Sequence, residues 1–195
     1  MEHVTRAFYD GDPEGYSEST FGNDVSDIRR RFLSRLDPGA RILDLGCGSG
    51  RDTLAFRETG CEVVPVDGSE GMCRVASSNL GSEVRRLDFL ELDYEDEFDG
   101  VWACASLLHL KADEVPVVLG LIRRALRVGG VVYVSFKEGT FEGFRDGRWY
   151  TDMTVDGLVR MAGDAGLPAE DVWLNTDPRG TVWVNAMLVN VRSGS

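Results

Sequence analysis

The sequence predicts an α/β fold: a seven-stranded, mostly parallel sheet with helices on both faces and a C-terminal antiparallel hairpin. Three observations predict it. Strand-like and helical runs alternate from Arg41 to Phe136. A buried strand runs into glycines at alternate positions, Gly46, Gly48 and Gly50, and then into a helix. Two extended runs near the C-terminal end are joined by Asp177-Pro178-Arg179-Gly180, which is strong turn chemistry.

Each element has its own signal. Residues 1–23 are polar and rich in Gly, Ser and Tyr. An amphipathic helix follows, with Val25, Ile28, Phe32, Leu33 and Leu36 at helical spacing, and Pro38-Gly39 ends it. Arg41–Leu45 reads as a buried strand and Arg51–Thr59 as a helix. Glu62–Asp67 is the second strand, and Ser69 is placed to cap the helix after it. Val84–Leu87 is a weaker third strand and Phe98–Ala105 a fourth. Asp113 starts a helix carrying Val117, Leu119, Leu121, Ile122 and Leu126, with Pro116 tolerated in its first turn. Gly129-Gly130 is expected to close that helix before the fifth strand, Val131–Phe136. Asp171–Asn175 and Thr181–Asn190 form the hairpin. The crossovers should be right-handed.

No repeat, low-complexity tract or long linker divides the chain, so residues 1–195 read as one domain. Residues 1–37 form a covering segment and helix, and residues 38–195 form the core with a substrate loop at 137–152. A hydrophobic share of 43% and a charged share of 28% are ordinary for a globular chain. No apolar run is long enough to span a bilayer and the first residues lack a signal-peptide layout, so a cytoplasmic protein, monomer or homodimer, is expected. A net charge of −12 weighs against a nucleic-acid partner. Arg29, Arg30, Arg31 and Arg35 cluster, but on a helix whose solvated face accounts for them. Cys47, Cys61, Cys73 and Cys104 are scattered without metal-ligand spacing and read as buried thiols; no metal is expected.

The chemistry concentrates in Ile42-Leu43-Asp44-Leu45-Gly46-Cys47-Gly48-Ser49-Gly50. In an open parallel sheet, ligands bind beyond the carboxyl ends of the strands, where this loop lies. The dinucleotide fingerprint fails in both registers, because its last glycine would fall on Arg51 or Thr53. No nucleoside-triphosphate loop is present, and Asp44 places negative charge where a pyrophosphate would approach.

An acidic residue followed by alternating glycines, here Asp44, Gly46, Gly48 and Gly50, resembles the first motif of the class I, Rossmann-like S-adenosylmethionine-dependent methyltransferases of the small-molecule type. Further matches keep the family's order over residues 8–190. Asp67, with Gly68 and Ser69, stands where the family binds the ribose hydroxyls, and Met72 where it packs an apolar group on adenine. Asp88-Phe89 follow the third strand, where the family places an acidic residue by the adenine amino group. Phe98-Asp99-Gly100-Val101-Trp102-Ala103 and Leu126-Arg127-Val128-Gly129-Gly130 resemble the family's fourth-strand approach and the turn before its fifth strand. The resemblance implies S-adenosyl-L-methionine as cofactor and S-adenosyl-L-homocysteine as product, with Tyr16, Cys47, Ala103 and Cys104 completing the cofactor site.

Methyl transfer is an in-line displacement that needs a base only when the nucleophile must shed a proton early. His109, just past the fourth strand, is the candidate base; lining the site or fixing the loop are its other readings. The [DNS]-P-P-[YF] motif of one nucleic-acid and protein amine group is replaced by Ala103-Cys104-Ala105-Ser106. The N-terminal stretch, with Phe8, Tyr9, Tyr16 and Phe21, is expected to fold over the site, Tyr9 facing substrate. Lys137, Arg148 and Tyr150 in the 137–152 loop are expected to meet substrate, either gripping an anionic group or pairing internally with Glu138, Glu142 or Asp146. The implied function is methyl transfer to O, N or S of a small molecule. An RNA-modifying enzyme, such as one acting on a tRNA wobble base, and a non-catalytic cofactor-binding protein are the alternatives.

Overall fold

The computed structural model describes residues 3–191. The expected sheet is present, with strands β1 (Arg41–Leu45), β2 (Glu62–Asp67), β3 (Arg85–Arg86), β4 (Phe98–Ala103), β5 (Leu126–Lys137), β8 (Ala169–Thr176) and β9 (Val182–Val189). A separate hairpin pairs β6 (Glu142–Arg145) with β7 (Arg148–Thr151). The large sheet runs β3-β2-β1-β4-β5-β9-β8, parallel from β3 to β5, with β9 and β8 antiparallel. The strand order reverses beside β1, the place where such sheets open a crevice for a ligand.

Alternation along the strands divides the core between the two faces. Ile42, Val63, Trp102, Tyr133 and Met187 point to one face, where Phe32 of α3 (Ser26–Leu33) and Phe56 of α4 (Arg51–Glu58) cover them. Leu43, Leu45, Val101, Ala103, Val132 and Val134 point to the other, beneath α6 (Val115–Ala125) and α7 (Val155–Asp164). Trp102 is fully buried and stacks on Tyr133 with centroids 4.3 Å apart. Ala76 of α5 (Glu70–Leu80) packs with Cys47, Cys73 and Val84. All four cysteines are free thiols; Cys47 and Cys73 are buried, Cys61 and Cys104 partly so.

Several boundaries depart from the sequence expectation. Residues 3–20 form two helices, α1 (His3–Gly11) and α2 (Pro13–Thr20), and Asp12 caps the second by accepting from the Gly15 amide at 3.0 Å. The helix expected to end at Gly129-Gly130 stops at Ala125, and those glycines lie inside β5. The cause lies far along the chain: the Asn190 amide donates to the carbonyls of Arg123, Leu126 and Arg127 at 3.1–3.3 Å, capping the helix end. The loop at 137–152 contains β6 and β7, joined at Asp146-Gly147 with φ of 51° and 76°. Positive φ at both central residues is the type I′ hairpin turn. Helix α7, capped by Thr154 through the Gly157 amide, had no sequence expectation.

Arg30, Arg31 and Arg35 of the arginine cluster are exposed, as a solvated face requires, but the cluster is also ion-paired. Arg29 reaches the buried Asp52 at 2.6 Å, Arg31 pairs with Asp171 and lies over Trp173, and Arg35 binds Glu170 at 2.6 Å. These pairs tie α3 to α4 and to the C-terminal hairpin. Among the described residues no helix is long and apolar enough to cross a membrane.

Candidate active site

The glycine loop sits at the carboxyl end of β1, held by two bonds to one acceptor: the Gly46 and Cys47 amides both donate to the Val66 carbonyl, at 2.9 and 3.0 Å. Gly46, Gly48 and Gly50 have φ of 82°, 55° and 84°, the left-handed region that glycine enters without steric cost. A Cβ on Gly46 would lie 2.5 Å from the Ser106 Cβ, whereas one on Gly48 would meet nothing within 4 Å. The loop is therefore packed against the end of β4 at one glycine and open at the next.

Asp67, buried at the end of β2, faces this loop. Its Oδ2 accepts from the Gly48 amide at 2.9 Å and its Oδ1 from the Ser69 amide at 2.8 Å. Burial pushes its pKa up to about 6, against the lowering effect of those amides. Ser69 caps α5 as expected, its hydroxyl accepting from the Met72 amide at 3.1 Å. Met72 is buried beneath the cap. Asp44 is also buried; its Oδ2 accepts from the Thr53 hydroxyl at 2.5 Å. Burial first, then the Asp52 charge, raise the Asp44 pKa to about 7. Asp88 caps the turn Phe89–Glu91 and lies 3.6 Å from Arg6 of α1, and Phe89 packs where a Gly46 Cβ would project.

At the end of β4, Ala103 is buried and Cys104 packs toward the Trp102 face of the sheet. Ala105 adopts φ of 51°, an uncommon value for a residue with a Cβ, and its amide donates to the Ser135 hydroxyl at 2.8 Å. This bend presents Ser106 to the glycine loop. The Ser106 Oγ is buried without a hydrogen-bond partner among the described residues. An orphaned donor and acceptor beside the loop fits a polar ligand at this place. Sequence reasoning did not single out Ser106; its place directly after Ala103-Cys104-Ala105 was the available signal.

The N-terminal helices cover this edge. Asp10 Oδ1 accepts from the Ser69 hydroxyl at 2.6 Å and from the Gly71 amide at 2.8 Å, docking α1 on the start of α5. Tyr9 is buried and meets Tyr16 edge-on, with centroids 4.9 Å apart. The Tyr9 hydroxyl lies 2.8 Å from His109 Nε2, and His109 Nδ1 lies 2.7 Å from the Trp149 carbonyl oxygen. A carbonyl only accepts, so Nδ1 carries the hydrogen and Nε2 accepts from Tyr9. Both ring nitrogens are thereby engaged. Burial lowers the His109 pKa to about 4, with Arg148 and Lys137 adding to the effect against the Trp149 bond.

Three elements distant in sequence thus meet: α1, the turn after β4, and the β6–β7 hairpin. The Trp149 amide also donates to the Thr5 hydroxyl at 2.9 Å, and Thr151 donates to the Leu110 carbonyl at 2.6 Å. Lys137 Nζ lies 4.0 Å from the centre of the Tyr150 ring, and the Arg148 guanidinium 5.3 Å from it. The structure brings together the expected substrate residues Tyr9, Lys137, Arg148 and Tyr150.

A buried network behind the glycine loop escaped sequence reasoning. Arg51, the first residue of α4, grips Asp52 at 2.7 and 3.0 Å, and Asp52 also accepts from Arg29 and from Trp102 Nε1 at 3.0 Å. Arg51 further donates to the Thr20 carbonyl at 3.3 Å, anchoring the end of α2. Burial disfavours the Asp52 charge, but these donors win and hold its pKa below the usual carboxylate value.

The sequence matches the methyltransferase-domain family over residues 42–130, the stretch that carries the glycine loop, Asp67, Asp88 and β4. The chain belongs to the class I S-adenosylmethionine-dependent methyltransferase family. It is 35% identical over 100 residues to magnesium-protoporphyrin O-methyltransferase of Rhodobacter capsulatus, covering 47% of this chain and 45% of that protein. It is 30% identical over 155 residues to a 23S rRNA (uracil-C5)-methyltransferase of Ralstonia nicotianae, covering 77% of this chain and 29% of that protein. The chain therefore spans less than half the length of these two relatives. Among solved structures, the Burkholderia thailandensis 1,6-didemethyltoxoflavin N1-methyltransferase superposes with a TM-score of 0.80 at 22% identity. That match covers 97% of this chain and 88% of the other. It shows the shared methyltransferase fold.

Proposed function

We propose that the chain is an enzyme that binds S-adenosyl-L-methionine along the glycine loop and transfers its methyl group to an O, N or S atom of a small-molecule acceptor. One observation carries the reading. The left-handed glycines, the buried Asp67 and the orphaned Ser106 hydroxyl converge on one sheet edge beneath a roof built from α1 and α2.

The residues present fit the cofactor. Asp67 has acceptor capacity beyond its two amide bonds and would take the ribose hydroxyls. Met72 and Phe89 would pack on adenine, with Asp88 beside its amino group. Tyr16, Cys47, Gly68, Ala103 and Cys104 would complete the binding surface, and Asp44, held neutral by burial in the free chain, would ionise opposite the positive groups of the methionine end. Bound there, the cofactor supplies an electrophilic methyl carbon on a positively charged sulfur.

The chain's own contribution is then alignment and exclusion of water. Tyr9, Tyr16 and the β6–β7 hairpin close the edge, so an acceptor is held in a desolvated space facing the loop. Tyr9 stands between His109 and that space, so His109 acts through the Tyr9 hydroxyl, holding it in place. A neutral imidazole with a pKa near 4 is a weak proton acceptor, which assigns His109 a positioning role.

An RNA substrate is disfavoured because the net charge is −12 and three of the four clustered arginines are engaged within the fold. Incubating the chain with methyl-labelled cofactor and a fractionated cell extract tests the reading. Label is expected in the small-molecule fraction and lost with Asp67→Ala. Label confined to the RNA fraction would refute it.

A further inference from the structure

We propose that the methyl acceptor is a small anion whose charged group docks between Arg148 and Lys137 beside the Tyr150 ring. The assignment rests on the methyltransferase reading above and names its substrate class.

Three cations converge on one ring. Lys137 Nζ, the Arg145 guanidinium and the Arg148 guanidinium lie 4.0, 5.1 and 5.3 Å from the Tyr150 centroid. Like charges gathered this closely repel unless a counter-charge joins them. Arg145 has one, because Asp152 accepts from it at 2.8 Å. Lys137 and Arg148 have no ion pair among the described residues, and the Arg148 Nε is buried without a hydrogen-bond partner. No carboxylate forms an ion pair with either among the described residues: Glu142 accepts from the Ala112 amide at 2.8 Å, Glu138 and Asp146 are exposed, and Asp146 and the Arg145-bound Asp152 act on Lys137 only as nearby charges. This surplus of positive charge stands out in a chain of net charge −12.

Arg148 shares one hydrogen bond with the Tyr9 hydroxyl, and stacking on the rings leaves its other donors and those of Lys137 unmet. A cation over an aromatic face keeps its N–H donors free, and Lys has three of them and Arg five. The aromatic cluster could alternatively receive a cationic acceptor, as aromatic cages do. Here the faces are already taken by the chain: Arg148 lies 4.5 Å from the Phe8 centroid and 5.9 Å from that of Tyr9. A second cation would meet like charge, whereas an anion meets its complement and the unused donors. The cations also face the reaction space, since the His109 ring is 5.0 Å from Tyr150 and 5.6 Å from Tyr9.

The test uses the full chain saturated with S-adenosylhomocysteine and three probes of one shape: benzoate, benzamide and benzylammonium. Binding is read by ligand-observed NMR in wild type, Arg148→Gln, Lys137→Gln and Arg148→Lys. Benzoate is expected to bind tighter than benzamide by roughly tenfold, the worth of one charge-assisted hydrogen bond, and benzylammonium weakest. Each Gln variant should abolish most of that preference, and Arg148→Lys should retain part of it. Benzoate binding no tighter than benzamide in wild type, or a preference undiminished in both Gln variants, overturns the assignment. S-adenosylhomocysteine binding is measured on the same preparations. Its absence in wild type, with benzoate selectivity intact, would refute the cofactor reading and leave the anion site standing.

Discussion

Gly46→Ala probes the geometry on which the site depends. The substitution places a Cβ at φ of 82°, which costs an L-residue about 1–2 kcal/mol. It also puts that Cβ 2.5 Å from the Ser106 Cβ and 3.1 Å from the Phe89 ring. The loop cannot swing away freely, because the Gly46 and Cys47 amides are both bonded to the Val66 carbonyl. Overpacking of this kind costs a further ~1–3 kcal/mol, so a total loss of about 2–5 kcal/mol is expected. The assay is urea unfolding of wild type, Gly46→Ala, Ser106→Gly and the double variant. Removing the Ser106 Cβ should return about 1–3 kcal/mol to the alanine variant, leaving the backbone strain. A loss below about 1 kcal/mol, or purely additive effects in the double variant, would refute the packing argument.

Tyr9→Phe removes the donor to His109 Nε2 and leaves a buried acceptor unsatisfied, so thermal unfolding should register a loss of about 1–3 kcal/mol. Asp52→Ala strands Arg51, Arg29 and the Trp102 N–H; a loss of about 3–5 kcal/mol is expected in urea, and a loss under about 1 kcal/mol would contradict the buried network. The pH dependence has two opposing parts. Asp44, at about 7 when folded and near 4 when unfolded, stays protonated in the native state while the unfolded chain has released its proton. Its contribution to stability therefore falls as pH rises from about 4 to about 7, and wild type should lose stability relative to Asp44→Asn over that window. His109, at about 4 when folded and 6.5 when unfolded, does the reverse, so wild type should gain on His109→Asn between those values. Chemical unfolding across that range, with the opposite sign for either pair, would contradict the assigned burial.

The parts of the fold that were legible in sequence are those set by local chemistry. The β1 strand with its glycines, the Ser69 cap and the Asp177–Gly180 turn each carry their signal within a few residues, and the structure reproduces them. What escaped was set by distant partners. Helix α6 ends where Asn190 takes its carbonyls, 63 to 67 residues away in sequence, so the local stop signal at Gly129-Gly130 does not set its end. Helix α7 carries an apolar face and a Thr154 cap that were readable in sequence, but its two glycines mask the signal; Leu158 and Ala162 hold it in the core. Asp146-Gly147 was a readable hairpin signal that the length of the loop obscured. The placement of Asp44, Asp67 and Asp88 in or just after β1, β2 and β3 follows from the alternation of strands and helices alone. Ser106 and the Arg51–Asp52–Arg29 network were not recoverable, since a single serine or an adjacent ion pair carries no pattern until packing isolates it.

Calorimetric titration of S-adenosylhomocysteine into wild type and Asp67→Ala tests the central claim most directly. Wild type should bind in the micromolar range. The variant should bind at least tenfold more weakly, because the ribose hydroxyls lose a charged acceptor worth about 1.5–3 kcal/mol. Absence of binding to wild type, or equal affinity in the variant, would contradict the account.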